Sequence, residues 1–394
     1  MGCVSLFRRY FGTCVKQPNK KLCVIFSDVN DIYFNLALEN SLLSSYGTND
    51  LKENTHGAPL LFFWRNSSSV IIGCNQNVWS ECNLDNVKRD NVNLVRRFTG
   101  GGAVYQDIGN TCFTFISPVD NYSFDQNSKI ICAALTKLIG ETCEPSGRND
   151  LCVNGLKASF SGSAFKVHPN AALHHGEMHF GINYTWHTGT LLININQGSL
   201  DKYLTPDKSK LDKHNVKSVK SRVTNLSAFK KSITHESVCE AIIKEVAEHY
   251  GSSAQEIKRV NMNSEYCQVP AFTDVYNKLV DPKWIYGERV LQYKSLKHRF
   301  DFGSVEFCFD LNNDLVEKLW TFSDCLNADF IAWLNENLNK TPLRFSAADF
   351  DRALGGLSYE GYDDMISAVR SWIVAELTAL EPESMPKDGS YETG

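Results

Sequence analysis

Apolar residues along the chain recur at two spacings, and the switches between them mark out its elements. Leu22 to Ser27 is a short apolar strand, and Ile32 to Ser45 sets Leu36, Leu38, Leu42 and Leu43 at helical spacing. Leu60 to Trp64 and Val70 to Gly73 read as two strands of a hairpin turned by Arg65-Asn66-Ser67-Ser68 and closed by Asn75-Gln76-Asn77. Thr111 to Ser117 alternates around Phe113 and Phe115 as a returning strand. Lys129 to Gly140 reads as a helix, and Leu200 to Leu211 as a helix-rich segment. Glu236 to Tyr250 repeats Val238, Ile242, Ile243 and Val246 with helical period and ends at Gly251-Ser252-Ser253.

From about Asp281 the pattern changes. Arg299 to Asp310 and Leu315 to Phe322 alternate as strands, while Ala328 to Leu338, Asp349 to Leu354 and Met365 to Leu377 read as helices. The 394 residues thus divide into a leading segment over 1–21, a main domain over 22–280, a small α+β unit over 281–380, and a Glu/Pro/Ser/Gly tail over 381–394 that reads as disordered. Nothing in the small unit looks catalytic.

Composition narrows the class without choosing a function. With 43% hydrophobic and 22% charged residues the chain is ordinary for a soluble globular protein, and a net charge of −5 argues against general nucleic-acid binding. No apolar run approaches the length of a membrane span. The 13 cysteines form no C-x-x-C pair, so they indicate neither a zinc site nor a disulfide framework, and their odd number fits a reducing compartment. Residues 1–27 hold Arg8, Arg9, Lys16, Lys20 and Lys21, with Leu6, Phe7, Tyr10 and Phe11 among them. Such a basic, amphipathic start is expected of a mitochondrial targeting segment, the alternative being a basic tail.

One stretch stands out chemically: Arg96-Arg97-Phe98-Thr99-Gly100-Gly101-Gly102-Ala103-Val104-Tyr105-Gln106-Asp107-Ile108-Gly109-Asn110. Glycines let backbone N–H groups approach a ligand and form an anion nest, and arginine offers a planar fork for phosphate or carboxylate. Taken alone, three glycines beside two arginines read first as a tight turn with solvated charges. Asp107 and Asn110 could orient the loop or cap its turn.

This stretch resembles the R-R-x-x-G-G-G-x-V-x-H-D-x-G-N signature of lipoate-protein ligases and mitochondrial lipoyltransferases, in the biotinyl/lipoyl ligase superfamily. Further segments resemble that family in the same order: Asn149 to Ala164, His187 to Leu192, Ser218 to Leu226, Trp284-Ile285-Tyr286-Gly287, and Arg299-Phe300-Asp301-Phe302-Gly303. The resemblance implies an α+β fold: a catalytic domain with a mixed β-sheet flanked by helices, plus the small accessory domain. It implies that Arg97, Gly102, Ala103, Val104 and Tyr105 hold the nucleotide. It also implies that Lys157 bridges the acyl carboxylate and the α-phosphate, where a fixed ammonium offsets developing charge. ATP with Mg²⁺, or a preformed lipoyl-AMP, and lipoate are the implied ligands. Apo lipoyl domains of 2-oxoacid dehydrogenase E2 subunits and the glycine cleavage H protein are the implied partners, with no nucleic acid or membrane, a monomeric state and a mitochondrial matrix location.

Three departures from the pattern bear on that site. Gln106 stands where the family has histidine, which removes a titrating group, so no general base is assigned there. Lys157 is followed by Ala158-Ser159-Phe160-Ser161-Gly162-Ser163-Ala164, with two residues more than the family's K-x-S-G-x-A. Two residues shift a strand by about 6.6 Å unless a bulge absorbs them. The family's H-H-G-T-L-L is split here into His174-His175-Gly176 and His187-Thr188-Gly189-Thr190-Leu191-Leu192 by an apolar insertion carrying Met178, Phe180, Tyr184 and Trp186. That insertion is either a hairpin over the pocket or a splice-derived piece that impairs the site. His174, His175, His179 and His187 lack acidic or cysteine partners at ligand spacing, so core or loop roles are favoured over a metal.

Three functions remain open on the sequence. The first is a ligase that attaches lipoate through lipoyl-AMP. The second is a lipoyltransferase that uses a preformed lipoyl-nucleotide or protein-bound lipoyl donor without ATP. The third is a non-catalytic lipoyl-AMP-binding protein.

Overall fold

The structure, a computed structural model, describes residues 21–45, 60–118, 124–146, 150–155, 159–168, 184–205, 223–252, 254–290 and 293–380. Two compact units emerge. The first reaches Arg289 and takes in Leu326–Ala328; the second comprises Val290–Cys325 and the chain from Asp329. Lys157, residues 1–20 of the leading segment, the tail, and His174, His175 and His179 lie outside the described residues.

The first unit opens with β1 (Lys21–Ser27), α1 (Ile32–Ser45), β2 (Leu60–Trp64), β3 (Ser69–Ile72), α2 (Val78–Glu81), α3 (Leu84–Arg89), β4 (Asn93–Arg96), β5 (Val104–Gln106) and β6 (Asn110–Pro118). It continues with α4 (Phe124–Ile139), β7 (Cys143–Ser146), β8 (Asp150–Val153), β9 (Ser159–His168), β10 (Tyr184–Leu192) and α5 (Gly198–Tyr203). Then come α6 (His235–Tyr250), β11 (Ala254–Val260), α7 (Pro270–Val280) and α8 (Pro282–Tyr286). An eight-stranded sheet has the order β11-β1-β2-β6-β10-β9-β8-β7, and a three-stranded sheet the order β4-β3-β5.

Alternation along the central strands explains the layering, because successive side chains leave opposite faces of a sheet. Leu22, Val24, Leu61, Phe63, Phe113 and Phe115 bury one face against Ile131 and Leu135 of α4 and Val238, Ile242 and Val246 of α6. Cys23, Ile25, Leu60, Phe62, Trp64, Cys112 and Ile116 bury the other against α1, α7 and the small sheet. With β1 paired in parallel to both β2 and β11, its unbroken apolar run is the mark of a strand covered on both sides. Helix α6 starts where Thr234 and Ser237 exchange side-chain and backbone hydrogen bonds in a capping box and stops at Gly251.

The expected hairpin does not form. Strand β2 pairs with β1 and β6 in the large sheet, whereas β3 pairs with β4 and β5 in the small one. Both strands are buried throughout, so each takes partners on both edges rather than one another. The crossing between the sheets is held from inside by Asn66, whose Oδ1 accepts from Asn35 Nδ2 (2.9 Å) and whose Nδ2 donates to Gln106 Oε1 (2.6 Å). Helix α4 begins at Phe124, ahead of the expected Lys129.

The extra residues near Lys157 are partly absorbed. Along β8 and β9, Leu151 pairs with Ser161 but Cys152 pairs with Ser159, so Phe160 is left out of the ladder as a bulge. Strands β9 and β10 pair from Ser161↔Leu191 to His168↔Tyr184, so Tyr184 to Trp186 of the insertion lie in a strand of the large sheet.

The second unit holds β12 (Lys294–Phe300), β13 (Gly303–Asn312), β14 (Leu315–Ser323), α9 (Ala328–Leu338), β15 (Leu343–Arg344), α10 (Ala347–Gly355) and α11 (Asp363–Leu380). Its four-stranded antiparallel sheet, β12-β13-β14-β15, buries Val305, Phe307, Phe309 and Leu319 against Phe330, Phe350 and Ile373 of the helices. This small α+β unit and the mixed sheet of the first unit have the expected architecture.

Candidate functional site

The glycine loop leaves the small sheet at Arg96 and returns to it at Val104. Two glycines determine its path. Gly101 has φ +95°, a conformation that L side chains rarely adopt. Gly73, at the end of β3, lies so close that a Cβ built on it would stand 2.2 Å from Gly101 O. The approach is pinned by Cys74 N donating to Thr99 O (3.0 Å) and Arg97 N donating to Ile72 O (3.0 Å).

Arg97 folds back onto the loop it introduces. Its Nη2 donates to Gly100 O (2.6 Å) and Gly102 O (2.9 Å), and its Nε lies 3.2 Å from Thr99 Oγ1 and Gly100 O. Burial lowers this guanidinium to about 10, against the pull of Cys74 and Glu39, so it stays cationic at neutral pH. Of the expected nucleotide-binding set, Arg97 and Gly102 are thus bonded to each other, and Ala103 follows directly. Val104 faces the strip between the two sheets. The Tyr105 side chain turns the other way: it is buried, stacks on Tyr203 (centroids 5.5 Å apart) and donates to Ser68 Oγ (3.2 Å). Only its backbone is placed for a ligand at the loop.

Behind the loop, the strip between the sheets is apolar but has polar groups within it. Trp64, Ile71, Val95, Cys112 and Val104 pack together there. Glu39 of α1 is buried among them; Thr114 Oγ1 donates to its Oε1 at 2.5 Å and lies 3.2 Å from Thr188 Oγ1. Burial pushes the Glu39 carboxyl above the usual carboxylate range, opposed by the Thr114 and Thr188 hydroxyls and the Arg97 charge. Among the described residues the buried Trp64 Nε1 has no hydrogen-bond partner. Glu39 was not among the residues singled out from the sequence, although it directly follows the apolar run Leu36-Ala37-Leu38.

Arg96 has the opposite role to its neighbour. Its Nη1 donates to the carbonyls of Gly73 (3.1 Å), Cys74 (3.0 Å) and Gln76 (2.6 Å), and its Nε and Nη2 reach Trp284 O and Ile285 O. It is a buried brace for the turn after β3. Gln106 is likewise taken up by Asn66. Asp107 and Asn110 cap their turn: Asp107 Oδ1 accepts from Gly109 N (2.8 Å), its Oδ2 from Asn196 N (3.1 Å), and Asn110 Oδ1 from Asp107 N (3.0 Å).

A separate cleft of about 900 Å³ adjoins this turn, lined among others by Arg65, Asp107, Ile108, Asn194, His235 and Glu236. His235 Nδ1 lies 2.9 Å from Thr111 Oγ1, and burial together with the Arg65 charge pulls the imidazole down to about 4. Arg65 Nη2 lies 3.9 Å from Glu236 Oε1 on the same wall, at the start of α6.

Comparison with known proteins gives a consistent result. The family model for the lipoyl protein ligase A/B catalytic domain matches residues 31–186 and 178–247, and that for the bacterial lipoate protein ligase C-terminus matches 293–368. The chain is 36% identical over 424 residues to lipoate–protein ligase 1 of Plasmodium falciparum, covering 94% of this chain and 98% of that protein. It is 35% identical to lipoate-protein ligase A of Psychrobacter cryohalolentis, covering 91% and 99%. The crystal structure of P. falciparum LipL1 in complex with lipoate superimposes with a TM-score of 0.75 at 36% identity, over 90% of this chain and 99% of that one. A lipoate-protein ligase A bound with ATP shares the fold at a TM-score of 0.52 and 20% identity, over 68% and 99%.

Proposed function

The chain belongs to the lipoate-protein ligase family, and from that premise we propose that it attaches lipoate to the acceptor lysine of lipoyl domains by way of lipoyl-AMP. The observation that carries this reading is the pairing of Arg97 with its own glycine loop at the edge of a buried strip that holds Glu39, Thr114 and Trp64. An apolar acyl chain suits the strip, and a phosphate suits a glycine loop with a fixed cation beside it.

The chemistry follows from the poor reactivity of a carboxylate as an acyl donor. A lipoate oxygen attacks the α-phosphorus of ATP, an O–P bond forms, and pyrophosphate leaves. The acceptor lysine, as free amine, then attacks the acyl carbon; an amide forms, AMP leaves, and the amine proton passes to solvent. Arg97 and the Gly102–Tyr105 backbone orient the adenylate, and Lys157 offsets charge on the carboxylate and α-phosphate. Magnesium would accompany ATP and offset the charge of its phosphates, as is usual for this ion. The acceptors in this reading are E2 lipoyl domains and the glycine cleavage H protein, and residues 1–21 direct a monomeric enzyme to the mitochondrial matrix.

One assay tests it. The protein is incubated with ATP, magnesium, lipoate and apo lipoyl domain, and the acceptor is weighed, alongside ³²P pyrophosphate–ATP exchange with lipoate. Exchange plus a lipoyl mass increment is expected. Transfer from supplied lipoyl-AMP without exchange would make the protein a transferase only, and binding without transfer would make it a non-catalytic receptor.

A further inference from the structure

Arg97 can hold the glycine loop only if its own backbone is oriented, and the group that orients it comes from far along the chain. Helix α8 has hard limits: Asp281 accepts from Lys283 N (2.9 Å), Pro282 occupies the first turn, and Gly287 ends it. So short a helix cannot satisfy its own last carbonyls. Those of Trp284 and Ile285 accept instead from Arg96 at 2.9–3.1 Å, which places a cation at the negative end of the helix.

The contact is reciprocal. Trp284 Nε1 donates to Arg96 O at 2.8 Å. That carbonyl belongs to the peptide unit whose N–H, on Arg97, donates to Ile72 O. Both polar ends of the Arg96–Arg97 peptide are therefore bonded, one to β3 and one to an indole 188 residues away. The same indole stacks on Phe98, with centroids 5.3 Å apart and planes 26° apart, and Lys278 Nζ sits 4.3 Å from the indole and 5.2 Å from the Phe98 ring. Trp284 thus grips the residue before Arg97 and the residue after it.

We propose that Trp284 is a positioning residue for adenylate binding, acting through the Arg96–Arg97 peptide and the Phe98 ring. It rests on the reading of the glycine loop as the nucleotide site. Losing the indole frees the peptide plane, and the Arg97 fork no longer meets the Gly100 and Gly102 carbonyls in one geometry. The acyl strip, built from β2, β3, β4, β5, β6 and α1, is held by pairings that do not involve the indole and keeps its shape.

The test measures the dissociation constants of a non-hydrolysable lipoyl-adenylate analogue and of free lipoate by calorimetry on the full chain. Trp284→Ala should weaken the analogue about ten-fold or more and leave lipoate within two-fold. Trp284→Phe retains the stack and loses the N–H, so it should fall between the two. A merely structural defect would lower the bound fraction of both ligands without separating their constants. Should the alanine variant not fold, the phenylalanine variant decides: wild-type adenylate affinity in it overturns the proposal. Arg97→Ala is measured in parallel. If it weakens the analogue and neither Trp284 variant does, the positioning role alone fails. If Arg97→Ala also leaves the analogue unchanged, the loop is not the nucleotide site and both readings fail.

Discussion

Gly73→Ala is the most discriminating single change, because it alters the loop without removing any group expected to touch ligand. The added Cβ would stand 2.2 Å from Gly101 O, about 1.2 Å short of the 3.4 Å at which ordinary contact begins. Neither side yields easily. Gly73 N donates to Gln76 Oε1 (2.9 Å) and Gly73 O accepts from Arg96, while Gly101 lies between two carbonyls held by Arg97. Overpacking of this kind costs about 1–3 kcal/mol, and misplacement of a binding group by about 1 Å can cost up to 10²-fold in rate. The variant should therefore fold, with its thermal transition a few degrees lower, and bind lipoyl-adenylate analogue at least about ten-fold more weakly. Calorimetric titration alongside thermal denaturation measures both. Wild-type affinity at an unchanged transition temperature would show that the loop accommodates the methyl, and the claim that its path is dictated by the Gly73–Gly101 approach would be wrong.

Three other substitutions probe the surroundings. Arg96→Ala strands the carbonyls of Gly73, Cys74, Gln76, Trp284 and Ile285, so it should destabilise the first unit by at least about 3 kcal/mol in denaturant unfolding; Arg96→Lys should recover little, and a loss under about 1 kcal/mol would refute the brace. Glu39 has a raised folded pKa, so its carboxyl costs stability as pH climbs through that value; Glu39→Gln should raise the transition temperature at pH 8 and lose that advantage toward pH 4, whereas a pH-independent difference contradicts burial of the acid. His235 is held neutral down to about 4, below its ordinary 6.5, so stability should fall between those pH values by of order 1–3 kcal/mol; His235→Gln should flatten that decline, and an unaltered acid limb would clear the imidazole of responsibility.

How far the sequence foretold this molecule depends on the range of the interaction concerned. Helix α6 and the three described helices of the second unit follow local periodicity, and α1 forms over its expected span although it is buried nearly all round and has no polar face. The supposed hairpin shows where locality ends. Two apolar strands four residues apart look like partners, yet which edge each takes is decided by β1, β6, β4 and β5, all distant in sequence. The bulge at Phe160 was foreseeable as a possibility from the residue count, while its position depends on the register against β8. Trp284 lay in a recognised segment, but its partner Arg96 is so remote that no spacing rule connects them.

The two adjacent arginines show why residue type alone could not assign the site. Arg96 is buried and Arg97 half-buried, desolvation lowers both to about 10, and both donate mainly to backbone carbonyls. What separates them is the alternation of the strand. Arg96 ends β4 and faces the turn after β3 and the end of α8, where five carbonyls consume its fork. Arg97, one residue on, faces the opposite side, toward Gly100, Gly102 and the Glu39 carboxyl. A slip of one residue in β4 would exchange their surroundings and bring the brace into the site. The register of β4 against β3, from Ser69↔Asn93 to Ile72↔Arg96, is therefore as much a part of the proposed adenylate site as the Arg97 guanidinium. Swapping the arginines for lysines tests this asymmetry: Arg97→Lys should chiefly weaken adenylate, and Arg96→Lys should chiefly lower stability. Identical profiles from the two variants would mean that strand alternation does not divide their roles.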